Sequence, residues 1–220
     1  MSHHNIQNCI FYEHRLFYQI FKRILDLFFG LILFLFISPV LVILSIIIKL
    51  TSEGPVVFKQ LRVGKNNQLF YIYKFRTMRI DAPSVATKKI QNQYITKIGK
   101  FLRCTSLDEL PQLINVIKGD MSFVGYRPLI PEEEKIHKYR NNLEVYYIKP
   151  GITGWAQING RNLVYDDDKA KYDNYYLMHR SLLFDLKILA ITFIKVVKRE
   201  DIHTGRQSNL KKCANKKKVA

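Results

Sequence analysis

Residues 24–48 read ILDLFFGLILFLFISPVLVILSIII, an almost unbroken apolar run bracketed by Lys22 and Arg23 before it and Lys49 after it. As one helix at ~1.5 Å per residue it covers ~37 Å, enough to cross a hydrocarbon core of ~30 Å. Length alone reads as a single transmembrane helix. The central Ser38-Pro39 pair points the other way, because proline removes a helix hydrogen bond and its ring clashes with the preceding turn. A break there leaves arms of ~21 Å and ~14 Å, each too short to span. A hairpin that enters and leaves one face also keeps both basic flanks on the cytoplasmic side. In that arrangement the Ser38 hydroxyl satisfies a carbonyl freed at the break. The physics of the segment leaves both forms open. A secretory signal is excluded, since the run is too long, too far inside the chain and lacks a small-residue cleavage site.

Beyond Thr51 the composition becomes that of a soluble domain. VVFKQLRVGKNNQLFYIYKFR reads as two strands, Val56–Leu61 and Leu69–Phe75, around a Gly/Asn/Asn turn. Residues 79–97 are polar and read as loop or loosely ordered helix. Helices are expected at Leu110–Ile117 and Glu132–Leu143, whereas PGITGWAQINGR should be loop with at most a short strand. Ser181–Lys198 has a broad apolar surface interrupted by Asp185, Lys187, Lys195 and Lys198. It is too charged to span, so it buries in the core or lies in the interface. Residues 200–220 read as a flexible basic tail; Arg206–Ala220 carries six basic residues and no acidic one, and near a membrane it favours anionic headgroups.

The whole chain is strongly basic, with 35 Lys+Arg against 18 Asp+Glu in 220 residues, a net charge of +17. Such an excess needs an anionic partner: nucleic acid, acidic lipid or a phosphorylated substrate. Hydrophobic residues at 48% exclude a disordered chain. Cys9, Cys104 and Cys213 have neither disulfide-framework nor zinc spacing, which fits a reducing compartment.

The chemistry concentrates in RCTSLDELPQL, Arg103 to Leu113. Ser106-x-x-Glu109 matches a capping box, a purely structural reading. The same geometry favours an ionised Asp108, because a first-turn carboxylate sits in the positive end of the helix dipole and backbone N–H groups there attract phosphate. Adjacent carboxylates also suit Mg²⁺, which takes one or two carboxylates together with substrate phosphates. Lys74 and Arg76 in YKFRTM, Arg103, and Arg127 in GYRP supply cations around the pair, and arginine grips phosphate oxygens in a bidentate way. Trp155, the only tryptophan, either stacks on a base or sugar or anchors the core.

At these residues the chain resembles the monotopic bacterial phosphoglycosyl transferases, the polyprenyl-phosphate sugar-1-phosphate transferases. The resemblance runs from about Phe21 to Lys198 and rests on FKRILDLFFG, Ser38-Pro39, EGPVVFKQLRVG, FYIYKFRTM, SLDELPQLINVIKGDMSFVGYRP and KPGITGWAQINGR. It implies an α+β fold: an N-terminal segment (1–20), a re-entrant membrane helix-break-helix (21–50) broken at Ser38-Pro39, and a catalytic domain (51–199). That domain would be small and mostly helical, with a short β-hairpin and interfacial amphipathic helices, at the cytoplasmic face of the inner membrane. It further implies that Asp108 is the nucleophile, Glu109 its partner in handling Mg²⁺ and phosphate, and Lys74, Arg103 and Arg127 the phosphate-binding cations. The donor would be a nucleotide sugar, a UDP-sugar in this family, and the acceptor a polyprenyl phosphate. Membrane and anionic lipid, not nucleic acid, would then account for the basic excess.

Two positions depart from the family pattern. Tyr126 stands where Gly-Pro-Arg-Pro has its first proline, which should relax the backbone before Arg127. Tyr165 stands where many members have tryptophan, which should reshape the sugar or base pocket. The competing class is a membrane-tethered polyanion-binding protein, in which the acidic pair only caps a helix.

Overall fold

The computed structural model describes residues 3–82, 92–159 and 165–198, with side chains from residue 16 onward. The basic tail, Gly160 and Arg161 lie outside the described residues, as does most of the polar stretch before residue 92. The architecture is mostly helical. A long helix α1 (His3–Thr51) is followed by an antiparallel hairpin, β1 (Val57–Val63) and β2 (Leu69–Phe75). Helix α2 (Lys97–Thr105), a 3-10 segment (Leu107–Gln112) and α3 (Leu113–Lys118) come next. Strand β3 (Ser122–Val124) pairs in parallel with β4 (Gly151–Thr153), and α4 (Glu134–Asn142) lies between them in sequence. A short α5 (Trp155–Ile158), then α6 (Asp166–His179) and α7 (Leu182–Val197), complete the described residues.

The expected break at Ser38-Pro39 is not a break in secondary structure: α1 is helical from His3 to Thr51 with Pro39 inside it. The reason is local. Pro39 cannot donate to the carbonyl four residues back, which is that of Leu35, and the Ser38 hydroxyl donates to that same oxygen at 2.8 Å. The carbonyl is satisfied, so the helix continues through the proline.

Both halves of α1 rest on the same domain. Toward its start, Arg23 donates to the carbonyls of Val116 and Ile117 at 2.6 and 2.8 Å, closing the C-terminus of α3. Asp26 accepts from the Phe123 amide at 3.3 Å. Lys22 and Tyr18 both donate to Asp185 of α7 at 2.6 and 2.8 Å. Toward its end, Leu44 and Ile48 are buried with Phe75 and Leu102. Arg76 donates to both the carbonyl and the hydroxyl of Ser52, 2.7 Å in each case. The remaining face of α1 is bare hydrocarbon, with Leu35 70% and Phe36 80% exposed. Helix α7 is two-sided in the same sense. Asp185 and Ile188 are buried while Leu183, Leu186, Phe193 and Val197 are exposed, so one face packs in the core and the other presents apolar side chains outward.

The hairpin forms as its sequence suggests. Asn66 and Asn67 both adopt positive φ, 54° and 59°, the left-handed conformation that asparagine tolerates, and the strands pair from Val57↔Phe75 to Val63↔Leu69. Asn115 locks this hairpin to α3. Its side-chain oxygen accepts from the Tyr73 amide at 3.1 Å and its nitrogen donates to the Tyr71 carbonyl at 2.7 Å, so a fully buried amide imitates a neighbouring strand. Replacing Asn115 with Ala orphans a backbone donor and acceptor together. Each costs ~1–3 kcal/mol, so urea melts should show a loss of about 2–6 kcal/mol.

Candidate active site

The 3-10 segment that carries the acidic pair begins at a forced reversal. Ser106 ends α2 in the left-handed conformation, φ 58°, and the next turn starts at Leu107. The capping box expected here does not form: the Ser106 side chain makes no cap bond, its amide donates back to the Arg103 carbonyl at 3.4 Å, and its carbonyl accepts from the Glu109 amide at 3.2 Å. Glu109 turns its carboxylate elsewhere. Lys74 of β2 and Arg127 both donate to its Oε1, at 2.8 and 3.1 Å. Two charge-assisted bonds in a half-buried site outweigh one neutral bond to a backbone amide.

Asp108 is the opposite case. Its carboxylate has no hydrogen-bond or ion-pair partner among the described residues, although Lys74, Arg103 and Arg127 act on it through space. Loss of water, then the neighbouring Glu109 charge, pushes it up to about 6 against the pull of those three cations. Burial pulls Lys74 down, with Glu109 opposing, and it pulls Arg103 down in the same way, with Asp108 opposing. Arg103 is also fixed by its Nε, which donates to the Thr77 hydroxyl at 2.9 Å. The five residues singled out from sequence therefore form one cluster. Arg76 does not join it, because its guanidinium is committed to Ser52 at the end of α1.

A carboxylate with this environment has a defined pH response. Its raised folded value means that Asp108 carries a proton below about pH 6 and loses it above. Any reaction that needs the anion should fall about tenfold per pH unit below that point and level off above it. A pH profile of kcat/KM, which reports the free enzyme, checks this.

Arg127 is held by several independent contacts. Gly125 donates to the Thr153 carbonyl at 2.9 Å, and Gly151 donates to the Tyr126 carbonyl at 2.8 Å. The backbones pass so closely that a Cβ on Gly154 would lie 1.8 Å from the Gly125 oxygen. Arg140 donates to the Arg127 carbonyl at 3.0 Å and Arg62 to the Pro128 carbonyl at 3.4 Å. Tyr126 does not loosen this turn as its sequence position suggests. Its ring is buried 4.9 Å from the Arg140 guanidinium and meets Tyr146 edge-on, so the aromatic side chain adds a hold on the turn.

The second departure lies away from the cluster's interior. Tyr165 is exposed at the start of α6 and encloses no pocket with the described residues. Trp155 takes the anchoring role, stacked on Tyr175 at 5.8 Å and tilted against Phe184 at 5.0 Å.

Sequence reasoning missed four of the residues that build this site. Asn115 and Arg23 tie α3 to the hairpin and to α1, and the Arg140–Asp173 pair, 2% exposed on both sides, backs Arg127. The one available signal was a polar residue inside an apolar helical stretch, as in LPQLINVI. The pair Asp108-Glu109 offers two carboxylates, and no group of three or more His, Cys, Asp or Glu side chains is close enough to hold a metal among the described residues. That donor set fits Mg²⁺ only if substrate phosphates and water complete its shell.

The sequence model of the family described as Bacterial sugar transferase matches residues 17–199. Among characterised relatives, the chain is 41% identical over 188 residues to the UDP-glucose:undecaprenyl-phosphate glucose-1-phosphate transferase of Escherichia coli, covering 80% of this chain and 40% of that protein. It is 37% identical over 199 residues to the undecaprenyl-phosphate galactose phosphotransferase of Salmonella typhimurium, covering 82% of this chain and 41% of the relative. It is 40% identical over 184 residues to the Bacillus subtilis protein named uncharacterized sugar transferase EpsL, covering 84% of this chain and 91% of the other. The chain thus spans about two-fifths of the length of the Escherichia coli and Salmonella proteins and nearly all of the Bacillus one.

Proposed function

The chain belongs to the bacterial sugar transferase family, and on that premise we propose that it moves a sugar 1-phosphate from a UDP-sugar to undecaprenyl phosphate by double displacement at Asp108. An Asp108 oxygen attacks the β-phosphorus of the donor, the P–O bond to the nucleoside monophosphate breaks, and that group leaves with the bonding pair. The enzyme then carries the phosphosugar as an acyl phosphate. A phosphate oxygen of the acceptor attacks the same phosphorus and returns Asp108 as the free carboxylate. The product is a diphosphate-linked lipid sugar.

The observation that carries this reading is the unequal treatment of two adjacent carboxylates. Glu109 is neutralised by Lys74 and Arg127, while Asp108 stays unpaired among the described residues with cations in reach. A carboxylate meant only for structure would be paired; a nucleophile must keep an oxygen available. Lys74, Arg103 and Arg127 take up charge on the transferring phosphoryl group, and the Glu109 bonds hold two of those cations in place before substrate arrives. Asp108 and Glu109 would hold Mg²⁺ together with the donor's diphosphate. There the ion would neutralise phosphate charge. Incubating the protein with a panel of UDP-sugars, undecaprenyl phosphate and Mg²⁺ should release UMP with at least one of them. Failure with every UDP-sugar, alongside release from another nucleotide sugar, would overturn the donor assignment.

The same proposal extends to topology: α1 enters the membrane without crossing it, on the cytoplasmic side. Support comes from the two anchored ends. Residues near Lys22 and near Ile48 hold the same charged domain, ~39 Å apart along a helix. A helix crossing the bilayer between those points would drag that domain into hydrocarbon, at a prohibitive desolvation cost. The bare faces of α1 and α7 then lie in the lipid. Single cysteines introduced before Phe21 and after Thr51 should react with an impermeant reagent from one side only. Labelling from opposite sides would mean a spanning helix.

A further inference from the structure

Beside the acidic pair lies a cavity of about 250 Å³ to which nothing in the proposed chemistry yet assigns a role. Leu33 of α1 and Val196 of α7 contribute to its lining, together with Ile152, Ile158, Leu113 and Phe123 from the domain. Glu109 and Ser106 also line it, so it reaches the segment that carries the nucleophile. We infer that this cavity receives the first isoprene units of the lipid acceptor, seating the acceptor's phosphate at the Asp108 cluster. The inference rests on the reading of the protein as a polyprenyl-phosphate transferase and adds where that lipid lies.

Three features select a hydrocarbon chain over the sugar of the donor. The first is the lining itself, which is apolar over most of its side chains. The second is that, apart from Ser106 at the end facing the acidic pair, its hydroxyl donors are already in use. Thr192 donates to the Ile188 carbonyl at 2.7 Å, and Thr153 and Thr192 bond to each other at 2.7 Å. With the Thr192 proton committed to Ile188, the Thr153 proton is the one shared between them. Lys195 donates to the Ile158 carbonyl at 2.7 Å, and Gln157 donates to the Ile152 carbonyl at 2.9 Å. A sugar needs several donors and acceptors at once, and here the hydroxyl and amide oxygens left without a protein partner are those of Ser106 and Gln157. The third feature is continuity. Leu33 and Val196 belong to the two helices whose outer faces are bare hydrocarbon, with Phe36 80% and Phe193 71% exposed. A chain lying in the bilayer along those faces meets the cavity without passing through water. Charge agrees with this direction, because Lys74 and Arg127 meet at Glu109, where the headgroup would arrive.

The test uses the full-length protein in lipid nanodiscs and two separate readouts. In the first, a polyprenyl phosphate with a diazirine on its first isoprene unit is photolysed and the adducts are mapped by peptide mass spectrometry. Adducts on peptides containing Leu33, Ile152 or Val196, competed by unmodified polyprenyl phosphate, are expected. Adducts confined to the exposed faces of α1 and α7, or none, would overturn the assignment. This readout is independent of the covalent mechanism at Asp108. In the second, Val196→Trp and Leu33→Trp fill the cavity from positions that are partly exposed and outside the catalytic cluster. Each should raise the KM for polyprenyl phosphate at least about tenfold while leaving acceptor-independent UMP release unchanged. Equal losses in both half-reactions would assign the cavity to the donor's sugar, and no change in either would leave the lipid elsewhere; both contradict the inference. Absence of any UMP release from the wild-type protein, with cavity adducts still present, would sink the transfer chemistry and not the lipid site.

Discussion

Asp108→Asn should abolish sugar-phosphate transfer, by at least about a thousandfold, and at the same time make the protein more stable. The first effect follows from the mechanism: an amide oxygen is a poor nucleophile toward phosphorus, and no other carboxylate stands in, since Glu109 is held by Lys74 and Arg127. The second follows from the environment. The folded protein holds this carboxyl at about 6 against an ordinary value of 3.8, so at neutral pH it carries an ionised group that its surroundings disfavour. Each unit is worth ~1.4 kcal/mol, and the raised value already contains the attraction of the three nearby cations, so a gain of up to about 3 kcal/mol is expected. The sign has a pH signature. The wild-type penalty is complete above about pH 6, shrinks as the pH falls toward 3.8, and is absent below it, so the advantage of the variant should vanish over that window. Thermal melts at several pH values read this directly. A variant that is inactive and also destabilised at pH 7 would make Asp108 a structural residue.

The second large effect belongs to a residue remote from the acidic pair. Arg140 and Asp173 form a buried pair, with Nε and Nη2 both donating to one carboxylate oxygen at 3.0 and 2.7 Å. Arg140→Met leaves Asp173 charged and unpaired in the interior, which should cost about 3–5 kcal/mol in urea denaturation. Adding Asp173→Leu removes the orphaned charge, and most of that stability should return. Activity should not return with it. Arg140 also donates to the Arg127 carbonyl and lies over the Tyr126 ring, so the double variant folds but leaves the phosphate-facing turn without that hold. A KM for the nucleotide sugar raised about tenfold in the double variant is expected. Full recovery of both stability and KM would reduce the pair to a purely structural role.

How far the sequence reveals this arrangement depends on the range over which each feature is determined. The hairpin was legible because its cause is local: two asparagines that accept positive φ, between strands of aromatic and β-branched residues. The amphipathic α7 was legible from its periodicity. The acidic pair and its three cations were legible as motif residues, while their division of labour was not. Lys74 and Arg127 are remote in sequence from Glu109, and nothing within the SLDELPQ stretch says that both bond to it and neither to Asp108. The capping-box reading failed for the same reason, since it weighed Ser106 and Glu109 without those cations. Helix α6 and strand β3 escaped notice because they are fixed by tertiary contact, whereas β4 is the short strand that PGITGWAQINGR allows. Helix α6 mixes polar and apolar residues without a one-sided apolar stripe, and strands of three residues carry too little pattern to read. At Pro39 the proline rule was sound, and Ser38 supplied the exception one residue away.

The central claim is that one oxygen of Asp108 becomes bonded to phosphorus during turnover. Wild-type protein incubated with a UDP-sugar that it turns over and with Mg²⁺, but no lipid acceptor, then quenched in acid and digested, reads this by mass spectrometry. The peptide containing Asp108 should gain the mass of one sugar phosphate, and the added mass should disappear when polyprenyl phosphate is supplied before quenching. An unmodified peptide, with transfer to the lipid still proceeding when both substrates are present, would mean that the acceptor attacks the donor directly and that Asp108 is not the nucleophile.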